Sequence, residues 1–100
     1  MARKYTPVSK EEFAGAELAA WSYEKDFLNA HFDCGTFAAA GEFASSSCKL
    51  ADDADHHPEV DIRYPGVVVV RLSTHVTSGV TDADVELAAT IESLYKSSYS

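Results

Sequence analysis

The stretch from Val60 to Ser73 limits what this chain can fold into more than any other. Val60, Ile62 and Tyr64 alternate with Asp61 and Arg63, the period-two pattern of a strand half-buried on one face. Pro65-Gly66 suits the two central positions of a type II turn, with Gly supplying the positive φ. Residues 67 to 73, Val-Val-Val-Val-Arg-Leu-Ser, read as the returning arm. Such a short connection can join only antiparallel strands, so it commits the fold to an antiparallel sheet.

The remaining segments supply helices and a second strand pair. Ser9-Lys10-Glu11-Glu12 matches a capping box, and Phe13, Ala16 and Ala20 follow at helical spacing, which predicts a helix over about 10–19. Residues 21–32 read as two short strands around a turn at Glu24-Lys25-Asp26. From Asp33 the period lengthens. Phe37, Ala40, Phe43 or Ala44, Ser47, Cys48 and Ala51 form one helical stripe, with Gly41 costing about 1 kcal/mol against Ala. Pro58 stops that helix, because the residue before a proline is pushed out of the helical region. Thr81-Asp82-Ala83-Asp84 opens a third helix, with Val85, Ala88, Ile91 and Leu94 or Tyr95 along one side. The order α-β-β-α-β-β-α predicts an α+β fold, a four-stranded antiparallel sheet with three helices packed on one face. Residues 1–100 make a single domain by length, with residues 1–8 expected as a flexible N-terminal tail.

Charge narrows the partners. Sixteen acids against 8 bases give a net charge of −8. That surface repels nucleic acid and anionic lipid, whose binding depends on clustered Lys and Arg. Apolar runs such as Val67 to Val70 are too short to cross a bilayer. Cys34 and Cys48 make no disulfide framework and follow no apolar signal segment, so free thiols in a reducing compartment are expected. A soluble, cytoplasmic protein follows as the expectation. A lone protomer of this size buries only about two-thirds of its unfolded surface, which favours association into a dimer or larger ring.

The chemistry-bearing residues bracket the hairpin. His56 and His57 precede its first arm and His75 follows its second, and antiparallel pairing brings those ends together. Three readings stand side by side. Histidines at element ends are often only solvated polar residues. A metal site has the right ligand count, since catalytic zinc commonly takes three protein ligands. However, adjacent histidines point in different directions and no chelating spacing is present. Acid/base chemistry suits imidazole, whose ordinary pKa lies near neutrality. Asp52 and Asp55 flank the pair, and a nearby carboxylate fixes an imidazole's tautomer. On these residues alone acid/base catalysis is narrowly favoured. His31 has no such company and reads as a polar strand residue.

At Asp-His-His-Pro-Glu-Val, then Leu-Ser-Thr-His, then Asp-Ala-Asp-Val-Glu-Leu-Ala, the chain resembles the pterin-4a-carbinolamine dehydratases. That family's signature is matched by Asp52, His56-His57-Pro58, Tyr64, His75 and Asp84. Trp21, Phe32, Phe37 and Phe43 fall where the family carries a Trp and a run of Phe, so the likeness spans roughly residues 9–98. Two departures stand out: one extra residue between Tyr64 and His75, and Val60 where many members have Trp.

The resemblance implies a hydro-lyase of tetrahydrobiopterin recycling. It converts 4a-hydroxytetrahydrobiopterin, the by-product of aromatic amino-acid hydroxylases, to quinonoid dihydropterin plus water, without metal or other cofactor. By position it implies His56 and His75 as acid and base, with His57 binding the pterin and assisting. It places Asp55, Pro58, Ser73, Thr74 and Val76 around the substrate. Asp52, Asp84 and Trp21 become supporting residues. Asp84 has a structural reading as well, three residues into a capping box begun by Thr81. Trp21 is as readily core as pocket wall. Some animal members of the family are dimerisation cofactors of a homeodomain transcription factor, which gives a non-catalytic alternative. The family also forms dimers and tetramers, and an apolar hairpin edge at 67–70 would invite such pairing.

Overall fold

The computed structural model describes residues 3–99 of the 100-residue chain. The elements run α1 (Lys10–Ala14), β1 (Trp21–Tyr23), β2 (Leu28–Asp33), α2 (Phe37–Ala54), β3 (Glu59–Arg63), β4 (Val67–Leu72) and α3 (Asp82–Ser98). This is the expected α-β-β-α-β-β-α order. The four strands pair antiparallel in the order β1-β2-β4-β3.

That order explains the four consecutive valines. β4 lies inside the sheet between β2 and β3, and Val68, Val69 and Val70 are all buried. Val68 and Val70 belong to the core cluster, while Val69 lies on the other side of the sheet between His31 of β2 and Asp61 of β3. Residues 67–70 are therefore not the open edge expected from the sequence; β1 and β3 are the edges. The expected half-burial of β3 holds only for Val60, which packs against the core; Ile62 is 43% exposed on this edge strand, and Tyr64, just past its end, is 88% exposed.

The hairpin turn also differs from expectation. Gly66 does not adopt a positive φ, and the Tyr64–Pro65 peptide is cis, so this is not a type II turn. Glycine is required there for space instead: a Cβ on Gly66 would stand 2.6 Å from the backbone carbon and oxygen of Thr36. The carbonyl of Gly66 accepts the Cys34 N–H at 2.8 Å, so the turn is locked to the entrance of α2.

Helix boundaries follow their caps. Ser9 and Glu12 form the expected reciprocal capping box, but α1 stops at Ala14, five residues short. Only its Phe13 is buried; Ala16 is exposed and Ala20 half-buried, so the intended stripe has nothing to pack on. α2 starts where Thr36 accepts the Ala39 N–H and buries Ala40, Phe43, Ala44, Ser47 and Ala51. Phe37 in its first turn is 56% exposed and Cys48 is exposed, one step round from the buried row. α3 buries Ala83, Asp84, Leu87, Ala88, Ile91 and Glu92; of the expected row, Ala88 and Ile91 are fully buried and Val85, Leu94 and Tyr95 pack half-buried against the core.

Between sheet and helices sits an aromatic core. Phe32 meets Trp21, Phe43 and Tyr95 at ring-centroid distances of 5.8, 5.0 and 5.0 Å. Burial of each such ring contributes about 1.5–3 kcal/mol. Residues 3–8 are not the free tail expected: they form a strap along the start of α3. Pro7 bridges Thr81, Val8 N–H donates to the Val80 carbonyl at 3.0 Å, and Asp82 N–H donates to the Thr6 carbonyl at 2.9 Å. Met1 and Ala2 lie outside the described residues.

Candidate active site

Two local devices aim the histidines. At the end of α2, Asp55 takes the left-handed conformation (φ 50°, ψ 43°). Its N–H donates to the Asp52 carbonyl and the His56 N–H to the Ala51 carbonyl, the two bonds of a Schellman motif. Asp is among the few side chains that accept this conformation. The reversal turns His56 inward, leaving it 8% exposed, while His57 faces outward. Neighbouring imidazoles therefore point in different directions, as their adjacency predicted.

The inward histidine meets a buried acid. His56 Nε2 is 2.5 Å from Oδ1 of Asp84, which is fully buried in the first turn of α3. A carboxylate only accepts, so Nε2 of His56 is the donor in this bond. Oδ2 of Asp84 accepts the Thr81 N–H and the Thr74 hydroxyl, both at 2.8 Å. Thr74 gives its hydrogen to Asp84, so the Thr81 hydroxyl donates to Thr74 at 2.7 Å. Asp84 thus takes the capping position expected for it, with Oδ2 on the Thr81 N–H, while its Oδ1 faces His56. The outward histidine has an exposed partner, with His57 Nε2 at 3.0 Å from Oδ1 of Asp52.

The hairpin delivers the rest. Glu59 pairs with Arg71 across the β3–β4 ladder, so residues following β4 arrive beside those preceding β3. Thr74 bridges Gly79, and the tight turn between them lifts His75 and Val76 to an exposed tip. A groove results, with two lobes joined at His57, Ser73, Thr74 and His75. One lobe, about 270 Å³, adds Asp55, His56, Val76 and Tyr5. The other, about 330 Å³, adds Asp26, Phe27, Glu59, Arg71 and Ser78.

Of the residues singled out from sequence, Asp55, His56, His57, Ser73, Thr74, His75 and Val76 line this groove. Asp52 and Asp84 stand behind two of the histidines, and Pro58 follows them without lining either lobe. Trp21 does not belong to the site: it is buried against Phe32, away from both lobes. His31 sits on β2 opposite Val69, also outside the groove. Sequence reasoning missed Phe27, Glu59 and Arg71, although pairing of Leu28 with Leu72 would have placed the 24–27 turn beside Ser73. Tyr5 gave no signal, being assigned to a tail. Among the described residues no three His, Cys, Asp or Glu side chains are grouped to hold a metal ion.

The model of one protein family, pterin 4 alpha carbinolamine dehydratase, matches residues 5–94. The chain belongs to this family. A relative from Sulfolobus acidocaldarius, provisionally named a pterin-4-alpha-carbinolamine dehydratase, is 40% identical over 78 residues, which are 78% of this chain and 85% of the relative. One of the same provisional name from Acidobacterium capsulatum is 37% identical over 89% of this chain and 95% of its own length. A crystal structure from Brucella melitensis, described as a transcriptional coactivator/pterin dehydratase, superposes with a TM-score of 0.80 at 27% identity. It covers 89% of this chain and 98% of that one. Family membership and the α+β architecture thus agree with the resemblance carried by the histidine motif. No helix of the described chain is long and apolar enough to cross a membrane.

Proposed function

We propose that this carbinolamine dehydratase family member removes water from 4a-hydroxytetrahydropterins, tetrahydrobiopterin's 4a-carbinolamine among them. The C4a–O bond breaks with proton delivery to the departing hydroxyl, giving water. Loss of the N5 proton lets its bonding pair form the C4a=N5 double bond of the quinonoid dihydropterin. His56 and His75 exchange these two protons, and His57 holds the pterin and assists. Asp55, Ser73, Thr74 and Val76 frame the substrate, whose amide and amino edge needs a carboxylate and hydroxyls to pair with. The elimination is redox-neutral, so it needs no oxidant or reductant, and the proton transfers proposed here use imidazoles in place of a metal.

What supports this reading above all is that three imidazoles face one groove, with the buried Asp84 carboxylate on the inward one. Asp84 keeps His56 oriented and stabilises its imidazolium when Nδ1 takes a proton. Such general acid–base help contributes typically about 10²–10⁴-fold. The substrate would come from an aromatic amino-acid hydroxylase in the same cytoplasm. The test is loss of freshly generated 4a-hydroxytetrahydropterin, followed by absorbance. Acceleration in proportion to protein is expected, and decay at the buffer rate would refute the dehydratase.

Assembly into a homodimer or homotetramer fits the open β3 edge, where Phe37, Ile62 and Tyr64 are exposed. Unpaired strand edges invite strand addition. Sedimentation should give at least twice the 10.8 kDa chain mass. The Brucella relative's description as a coactivator keeps transcription-factor binding as a second role. A purely binding role leaves the histidine groove without a purpose.

A further inference from the structure

The groove has one wall that no part of the histidine motif accounts for. Tyr5 is carried there by the strap of residues 3–8. Besides the backbone pairing with Val80 and Asp82, the Thr6 N–H donates to Oδ1 of Asp82 at 3.1 Å, and the Tyr23 hydroxyl donates to the Val8 carbonyl at 2.6 Å. Arg3 closes the strap on its other side. Its guanidinium lies 3.4 Å from Asp82 and 3.1 Å from Glu86, and 5.7 Å from the centroid of the Tyr5 ring.

So fixed, the Tyr5 ring lies 6.2 Å from the ring of His56, tilted by 41°. A core role does not explain it: Tyr5 stands outside the buried cluster, and its hydroxyl has no hydrogen-bond partner among the described residues. It lines the lobe shared with Asp55, the histidines and Val76. The other walls of that lobe are carboxylate, imidazole and hydroxyl, apart from Val76, which is 80% exposed. A flat heterocycle needs an apolar face as well as hydrogen bonds, and offset stacking on an aromatic ring provides one.

We infer that Tyr5 is a substrate-contact residue, its ring forming the wall against which the amide–amidine half of a bound pterin stacks beside His56. This rests on the dehydratase reading. It also gives the strap a purpose: pairing with residues 80–82 holds a binding residue 51 positions before His56 in sequence against the same lobe.

The test compares native protein, Tyr5→Leu and Tyr5→Phe by steady-state dehydration, by thermal unfolding, and by calorimetric titration with 7,8-dihydropterin. Tyr5→Leu keeps bulk and loses the π face; KM should rise roughly three- to tenfold and dihydropterin binding weaken in step, with kcat within about twofold. Tyr5→Phe keeps the π face, so its KM and dihydropterin binding should stay closer to native than those of Tyr5→Leu. An unchanged KM and unchanged binding in Tyr5→Leu, with only the unfolding temperature moved, would overturn the contact and leave Tyr5 as a strap anchor. Should the native chain be inactive yet bind dihydropterin in a Tyr5-dependent way, the contact stands and the reaction assignment falls. If it neither binds nor reacts, both fall.

Discussion

His56 donates from Nε2 to a carboxylate, Asp84, that is wholly buried 28 positions along the chain, and this bond joins the end of α2 to the start of α3. The same carboxylate takes the Thr81 N–H and the Thr74 hydroxyl, so one side chain ties a histidine, a helix cap and the loop after β4 together. Asp84→Ala would leave three buried donors without a partner. Each such group costs about 1–3 kcal/mol, so a loss of about 3 kcal/mol or more is expected, with the unfolding temperature down by more than about 10 °C. Asp84→Asn keeps the shape and should cost less stability, yet its amide cannot stabilise an imidazolium, so kcat should still fall. Equal kcat in native and Asp84→Asn would remove Asp84 from the chemistry.

Asp52 holds the other histidine differently. Its bond to His57 is exposed on both sides, so Asp52→Asn should change stability by less than about 1 kcal/mol. Its effect should appear in KM, through looser placement of the His57 ring. A large stability loss in denaturant titration would show that this pair carries more of the fold than its exposure allows.

Gly66→Ala tests why the hairpin turn needs glycine. The added methyl would stand 2.6 Å from backbone atoms of Thr36, which no side-chain rotation relieves. Overpacking of this sort costs typically about 1–3 kcal/mol, measurable by urea unfolding. A neutral outcome would mean that the turn can separate from the start of α2.

The strap should respond to acid. The Thr6 N–H, followed by Arg3 nearby, holds the Asp82 carboxyl below its ordinary value. A group with a lowered folded pKa gives stability that is complete above the ordinary value and lost as pH falls through the lowered one. Tyr5 ring signals followed by NMR should therefore shift only below the ordinary carboxylate range, and that transition should vanish in Asp82→Asn. Strap movement at a higher pH, or unchanged in the variant, would assign its hold to other contacts.

How legible this molecule was in its sequence depended on where each residue's partner lies. The histidine groove could be read because its parts flank one hairpin, and antiparallel pairing alone brings residues 56–57 to 75. Element order was readable for a similar reason, since the caps at Ser9 and Thr81 are local signals, although α2 ends at the Asp55 reversal, ahead of the stop expected at Pro58. Burial on β3 was not, because alternation says which residues share a face but not whether a helix covers it; Ile62 and Tyr64 stayed exposed. Gly66 looked like a φ requirement and is a packing requirement, set by Thr36 thirty positions earlier. Tyr5 was invisible for the same physical cause: its place depends on strap pairing with residues 80–82, a contact without periodicity. Trp21 could be core or wall from sequence, and only its contact with Phe32 placed it in the core.

The most direct measurement is the rate constant for loss of 4a-hydroxytetrahydropterin with native protein, His75→Ala and His31→Ala, each checked for folding by circular dichroism. A histidine acid–base site in the groove predicts that His75→Ala loses most of the acceleration, within the roughly 10²–10⁴-fold that such catalysis supplies, while His31→Ala keeps the native rate. Native acceleration that survives intact in folded His75→Ala would contradict the site, and no acceleration by the native chain would contradict the function.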